Sequence, residues 1–150
     1  MGVLLFDADN DGAPDLYCAN GSNEFQADTK SYQDQLLLND GKGNFTRTEL
    51  PDALQQAPVF AFAPVPGEHA AGWLAGGNFY GVVPYEGRYD ALYPTLFSVG
   101  KNNTVFNPPS VLPTIAGEIR DAKWINTPNG SKILVLARNN NSLIFLKPGI

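Results

Sequence analysis

Near its start the chain reads Phe6-Asp7-Ala8-Asp9-Asn10-Asp11-Gly12-Ala13-Pro14-Asp15-Leu16. Aspartates hold alternate positions from Asp7 to Asp15, interrupted only at Ala13. Like charges crowded into one short loop repel unless a cation neutralises them. Hard cations such as Ca²⁺ take about six to eight oxygen ligands, carboxylate and backbone carbonyl alike. Asp7, Asp9, Asp11 and Asp15 offer the carboxylates, Ala13 a carbonyl oxygen, and Gly12 the tight turn that wraps the chain. The expectation is one Ca²⁺ site. The plain alternative is a hairpin turn without metal, although turn chemistry needs one or two aspartates rather than alternation of this kind.

The flanks decide which sort of loop this is. An EF-hand requires a glutamate at its twelfth position and a helix on either side. Counted from Asp7 that position is Cys18, and both Val3-Leu4-Leu5-Phe6 and Leu16-Tyr17-Cys18-Ala19 read as strands. The loop therefore joins two neighbouring strands, with Asp15 closing it.

Composition agrees with a β-rich domain. The 15 glycines and 12 prolines among 150 residues gather between short apolar runs, the texture of an all-β protein with many turns. Apolar residues reach 43% and charged ones 17%, which is enough for a packed core. A net charge of −5 argues against a nucleic-acid partner, which demands a basic face. No apolar run approaches the ~20 residues of a membrane span, so no membrane insertion is expected. Met1 to Phe6 lacks the basic start and the length of a signal peptide. The single cysteine, Cys18, excludes an intrachain disulfide and reads as a small buried hydrophobe.

A unit of four strands recurs along the chain. In the first copy, strands at 3–6 and 16–19 are followed by a polar loop from Ser22 to Gln33. Gln35-Leu36-Leu37-Leu38 and Phe45-Thr46-Arg47-Thr48 then flank Asn39-Asp40-Gly41-Lys42-Gly43-Asn44, and Asp-Gly between apolar runs is a strong hairpin signal. The second copy runs through Val59-Phe60-Ala61-Phe62-Ala63, Gly72 to Gly77, Thr95 to Val99 and Thr104-Val105-Phe106. The third has only Ile119 to Ile125, Ile133 to Ala137 and Leu143 to Leu146. Laying Phe6–Leu16 over Trp124–Leu134 sets Gly12 opposite Gly130, with Ile125, Thr127 and Asn129 opposite the acids. In the second copy Ala63, Val65 and Gly67 stand there, so only the first loop can hold a metal.

Repeated four-stranded units of this length imply radial repetition. The expected fold is a partial β-propeller of about three antiparallel blades, at residues 2–50, 57–108 and 115–148, the last one incomplete. Three blades leave two apolar faces uncovered. The chain thus reads as the C-terminal portion of a larger propeller, or as a piece that self-associates.

The run Asp7 to Leu16, followed by Leu38-Asn39-Asp40-Gly41-Lys42-Gly43-Asn44-Phe45, resembles the FG-GAP/VCBS repeat found in calcium-bearing propellers such as that of integrin α-subunits. Gly76-Gly77-Asn78-Phe79-Tyr80-Gly81 with Glu86-Gly87-Arg88-Tyr89-Asp90-Ala91 resembles the ASPIC/UnbV-associated group. The resemblance implies an extracellular or cell-envelope scaffold with Ca²⁺ in its blade loops. It names no ligand.

Catalysis finds little support. Glycosidase carboxylates face each other across a cleft, whereas these acids share one loop. His69 is the single histidine and has no Cys or paired acid in its vicinity, so no nucleophilic triad is in view. Arg88 and Asp90 flank Tyr89 and read as a structural salt bridge. Trp73, Tyr80, Tyr85 and Tyr89, with Arg88, form the candidate ligand surface, for which inter-blade packing is the plainer role. Asn20, Asn44, Asn102, Asn129 and Asn140 each open an Asn-x-Ser/Thr triplet, which reads mainly as turn chemistry. The functional expectation is a non-enzymatic, calcium-stabilised module for adhesion or partner binding, its partner a protein or a carbohydrate. The alternative is a polysaccharide-binding or enzyme subunit whose active groups lie in other blades.

Overall fold

A computed structural model describes residues 2–20, 32–65, 71–83, 85, 87–100, 105–111 and 114–147. Among these there is no α-helix; the one helical turn is 3₁₀, at Asp52–Leu54. Among the described residues eleven strands form three antiparallel sheets. Sheet 1 is a meander of β1 (Gly2–Phe6), β2 (Asp15–Ala19), β3 (Gln35–Asn39) and β4 (Phe45–Thr48). Sheet 2 repeats that order with β5 (Val59–Val65), β6 (Ala71–Gly77), β7 (Thr95–Val99) and β8 (Val105–Val111). Sheet 3 has three strands, β9 (Ile119–Asn126), β10 (Lys132–Arg138) and β11 (Ile144–Leu146), with β10 at its centre.

The sheets are joined by two apolar cores, and sheet 2 contributes to both. Successive side chains on a strand point to opposite faces, so an inner sheet must be apolar at neighbouring positions. On β6 Ala75 faces Tyr17, Leu36 and Leu38 of sheet 1, while Leu74 faces Ala122, Leu134 and Leu136 of sheet 3. On β7 Phe97 and Val99 join the first core, and Leu96 packs against the second. Leu36, Leu54, Leu74, Leu134 and Leu136 are fully enclosed, each contributing roughly 2 kcal/mol of apolar transfer. The aromatic seam of the first interface stacks Phe6 on Phe62 at 5.3 Å, with Trp73 edge-on to Phe6 at 4.5 Å.

A bulge in β5 shifts which residues of the strand face which core. Val59 pairs with Gly77 and Ala61 with Gly76, leaving Phe60 as an extra residue. Val59 therefore faces sheet 1 while Ala61 and Ala63 face sheet 3, although all three have odd numbers and would otherwise share a face. The backbones are close here. A Cβ on Gly77 would lie 1.9 Å from the Pro58 carbonyl oxygen, and one on Gly76 would press on Ile119 at 2.9 Å.

The structure departs from the sequence reading in several places. The strand expected to end at Ala63 runs on to Val65, because it continues to pair with β6 as far as Gly72. Gly67 and His69, with most of the polar loop from Ser22 to Gln33, lie outside the described residues. β8 continues to Val111 through Pro108 and Pro109; they fall at the register shift between the Leu96–Ser110 and Ser98–Phe106 pairs of an edge strand, where proline is tolerated. Cys18 is half-buried rather than part of the core, since it pairs with Val3 on the face of sheet 1 turned away from sheet 2. The overlay of the first and third loops matches at the turn and not in the ladder. Gly12 and Gly130 both have positive φ, 94° and 81°. Pairing stops at Phe6–Asp15 in sheet 1 but continues to Asn126–Lys132 in sheet 3, so the acidic loop is the wider of the two.

Candidate metal centre and the aromatic loop

The acidic loop is bounded below by the last β1–β2 pair, Phe6 with Asp15. Asp15 is wholly buried. Its Oδ2 accepts from the Ala8 N–H at 2.7 Å and its Oδ1 from the Asn39 N–H at 2.8 Å. One carboxylate at the start of β2 thus ties the loop to the end of β3. Asn39 adds a second tie, its Nδ2 donating to the Pro14 carbonyl at 3.1 Å. Above this floor Asp7 Oδ1 and Oδ2 accept from the N–H groups of Asp11 and Gly12, both at 3.0 Å. Asp9 Oδ1 accepts from Asp11 N–H at 3.2 Å. Asn10 and Gly12 take positive φ, 62° and 94°, a conformation that asparagine and glycine tolerate best.

Asp7, Asp9 and Asp15 each present a carboxylate oxygen within 4.8 Å of the others. Asp11 stands outside that trio, with its Oδ1 accepting from Ala13 N–H at 2.7 Å. Ala13, the fifth expected ligand, is buried at the loop's end. The crowding leaves an electrostatic mark. Burial, then the charges of Asp11, Asp15 and Asp7, raise the Asp9 pKa above the ordinary carboxylate value. Burial is also the main cause of the raised pKa of Asp15, with Asp11 and Asp7 adding to it against its two backbone hydrogen bonds. Both groups sit where a positive charge would be welcome.

The donor set suits Ca²⁺. Oxygens sharing one such ion at about 2.3–2.6 Å can stand up to ~5 Å apart, and each oxygen that accepts one N–H retains a second lone pair. Among the described residues this is the one group of acids or histidines so gathered. The corresponding loop of sheet 3 closes with neutral groups instead. Asn129 Oδ1 accepts from both the Thr127 and Ser131 hydroxyls, and the Ser131 carbonyl accepts from Thr127 N–H at 2.8 Å.

The candidate ligand residues are divided between two places. Trp73 lies in the interface of sheets 1 and 2, its Nε1 donating to the Ala8 carbonyl at 3.0 Å. Tyr80, Tyr85, Arg88 and Tyr89 belong to the loop between β6 and β7. There Arg88 lies over the Tyr80 ring at 5.2 Å, Tyr89 is exposed and pairs with Phe79, and Tyr85 projects into solvent. Arg88 and Asp90 form no salt bridge; the arginine takes the aromatic face instead.

Beneath that loop is a polar hub that the sequence reading did not single out. Asn78 is buried, and its side chain bonds Leu92 in both directions, at 2.8 and 2.9 Å, and Gly117 at 3.1 Å. Buried Glu118 accepts from Tyr80 N–H at 2.9 Å, Arg120 at 2.6 Å and Asn139 at 2.9 Å. Burial alone would raise its pKa. The Tyr80 and Asn139 hydrogen bonds, with the charges of Arg120 and Arg88, carry it below the usual value. Arg120 also donates to the Asn78 carbonyl at 2.9 Å and covers the Phe60 ring at 4.3 Å. Glu118 stands just before β9, and its spacing of two from Arg120 was the available signal, since extended residues two apart share a face. In sheet 1 the comparable buried acid is Asp34, which accepts from the Tyr17 hydroxyl and from Asn20 N–H.

Comparison with known proteins returns no match, whether to a family model, a curated protein or a solved structure.

Proposed function

We propose that this chain is a non-enzymatic, calcium-stabilised β-propeller module of an exported or cell-surface protein, presenting a rigid surface to a protein or carbohydrate partner. The observation that carries the reading is the gathering of Asp7, Asp9 and Asp15 within 4.8 Å over a buried floor. The ion's task is structural: it offsets the mutual repulsion of the acids and ties β1 to β2. The Ala13 carbonyl would add a ligand, and Asp11, which here accepts from the Ala13 N–H instead, would join the set by turning its carboxylate toward the trio. The stack of sheets supports the radial fold, since sheet 2 is apolar on both faces, as the inner blade of a repeat array must be. The FG-GAP/VCBS likeness supports an exported setting. Extracellular calcium modules work at a Kd of ~10⁻⁴–10⁻³ M, so a weak site suffices there.

The test is thermal unfolding with Ca²⁺ and with chelator. At about ten times Kd, binding to the native state adds about 1.4 kcal/mol, which raises Tm by about 3–6 °C in a chain of this size. Mg²⁺ alone should not reproduce the shift, and the Asp9→Asn/Asp11→Asn double variant should lose it. An unchanged Tm across millimolar Ca²⁺ would overturn the calcium reading.

A second reading, as a polysaccharide-binding or enzyme subunit completed by further blades, draws on one observation. Arg88 stacks over Tyr80 in a loop whose Tyr85 and Tyr89 are exposed, and exposed aromatics suit sugar faces. Quenching of tyrosine fluorescence by oligosaccharides, abolished in Tyr85→Ala/Tyr89→Ala, is its check.

A further inference from the structure

The triplet Asn-Gly-Ser occurs at Asn20 and again at Asn129. Glycine has no Cβ to shield its nitrogen, so the side-chain carbonyl of the preceding asparagine lies open to attack by that nitrogen. The structure holds the two asparagines differently. Asn20 Nδ2 donates to the Gln33 carbonyl at 2.8 Å, and the Asn20 N–H donates to Asp34 Oδ1 at 2.7 Å. Asn129 is exposed at the tip of the β9–β10 hairpin, and its Nδ2 has no hydrogen bond among the described residues. Its Oδ1 accepts from the Ser131 hydroxyl at 2.7 Å and the Ser131 N–H at 3.2 Å, with the Thr127 hydroxyl also donating. A Cβ at Gly130 would meet nothing within 4 Å, so no packing holds the tip in place.

We propose that Asn129 is a site of spontaneous modification, converted through a cyclic imide to aspartate and isoaspartate. The Gly130 nitrogen loses its proton to solvent and attacks Asn129 Cγ, forming a C–N bond and placing negative charge on Oδ1. The Ser131 donors already face that oxygen, and donors aimed at a developing oxyanion stabilise it. The Cγ–Nδ2 bond then breaks, and Nδ2 takes a proton from solvent and leaves as ammonia. Water next opens the imide. Cleavage at Cγ restores the main chain as aspartate, and cleavage at the main-chain carbonyl gives isoaspartate, with one more methylene in the backbone. The balance is one water in and one ammonia out, without any oxidant. One hydrogen bond opposes the attack, since Gly130 N–H donates to the Thr127 carbonyl at 2.9 Å. Local opening of this exposed turn releases it. The product carries a new negative charge at the hairpin tip, while Leu134 and Leu136, further along β10, keep their places in the core.

The experiment incubates the full chain under native conditions at neutral and mildly alkaline pH. Peptide mass spectrometry and an isoaspartate-specific methyltransferase follow the two sites. Asn129 should convert about three- to tenfold faster than Asn20, the effect of the one neutral hydrogen bond that holds the Asn20 amide nitrogen. Its rate should rise with pH, because the attacking nitrogen must first lose a proton. In urea neither site is structured, and the identical triplets should convert at similar rates. Ser131→Ala removes one donor to Oδ1 at an exposed position. It should slow Asn129 by about three- to tenfold in the native chain and leave the rate in urea unchanged. Conversion at Asn129 no faster than at Asn20 in the native chain overturns the inference. So does a native Ser131→Ala rate that is unchanged or higher, because the donors would then play no part.

Discussion

The indole nitrogen of Trp73 donates to the carbonyl oxygen of Ala8 at 3.0 Å, so an inner strand of sheet 2 holds the acidic loop of sheet 1 by its backbone. Ala8 itself is fully buried, and its N–H is held by Asp15. Both backbone groups of one residue therefore fix the loop, one within its sheet and one across the interface.

Trp73→Phe keeps the ring packing against Phe6 while removing the donor. A buried carbonyl left without its partner costs about 1–3 kcal/mol. Urea unfolding should show that loss with an unchanged m-value, and under the proposed calcium function the Tm shift with Ca²⁺ should shrink because the loop is less well held. Unaltered stability would show that the Ala8 carbonyl finds water instead.

The two glycines at the end of β6 should differ in tolerance. Gly77→Ala sets a methyl against the Pro58 carbonyl oxygen at 1.9 Å, and neither backbone can retreat without breaking the bulge. The expected outcome is loss of soluble protein. In Gly76→Ala the obstacle is the Ile119 side chain, 2.9 Å away at Cδ1, 3.0 Å at Cγ2 and 3.1 Å at Cβ. Overpacking of this sort costs about 1–3 kcal/mol. Ile119→Val, which deletes that Cδ1, should recover part of it in the double variant.

Asp34 and Glu118 should give opposite pH dependences. Burial raises the Asp34 pKa above its ordinary 3.8, against the opposing hydrogen bonds from Tyr17 and Asn20. The folded state then binds that proton more tightly than the unfolded chain, so its contribution to stability rises as pH falls through the raised value and levels off below about 3.8. For Glu118 the folded pKa lies below 4.5. Its contribution is present above that value and is lost as pH falls through the lowered one. Stability curves of Asp34→Asn and Glu118→Gln between pH 3 and pH 7, each subtracted from wild type, should slope in opposite senses. Parallel curves would contradict the assignment.

The strands were legible because their side chains alternate between a core and another surface. Leu36 and Leu38, or Leu134 and Leu136, show this directly, and Asp40-Gly41 and Asn129-Gly130 mark the turns. The acidic loop was legible as a cluster, since aspartates at alternate positions repel one another and a plain turn has no use for so many. Which acids converge was not legible. Asp11 is turned aside by the Ala13 N–H, a contact of two residues that depends on the path the backbone takes around Gly12. The partner of Trp73 lies in another sheet, 65 residues away, and no local pattern announces so distant a contact. Arg88 was expected to seek an acid, yet an exposed ion pair is worth little and the guanidinium lies over the Tyr80 ring instead. Asn78 showed no pattern at all, because its buried amide answers to Leu92 and Gly117 rather than to its neighbours in sequence.

Phe60, the residue inserted in β5, has a consequence of its own. Were it deleted, Val59, Ala61 and Phe62 would fall into plain alternation, and the ladder with Gly76 and Gly77 would read without a break. The sheet gains nothing from the extra residue. What would disappear is the aromatic shelf on which the Arg120 guanidinium rests at 4.3 Å, and with it the alignment of that side chain toward Glu118 and Asn78. An irregularity of the backbone thus serves as the mounting for a charged group that bolts one sheet to the next.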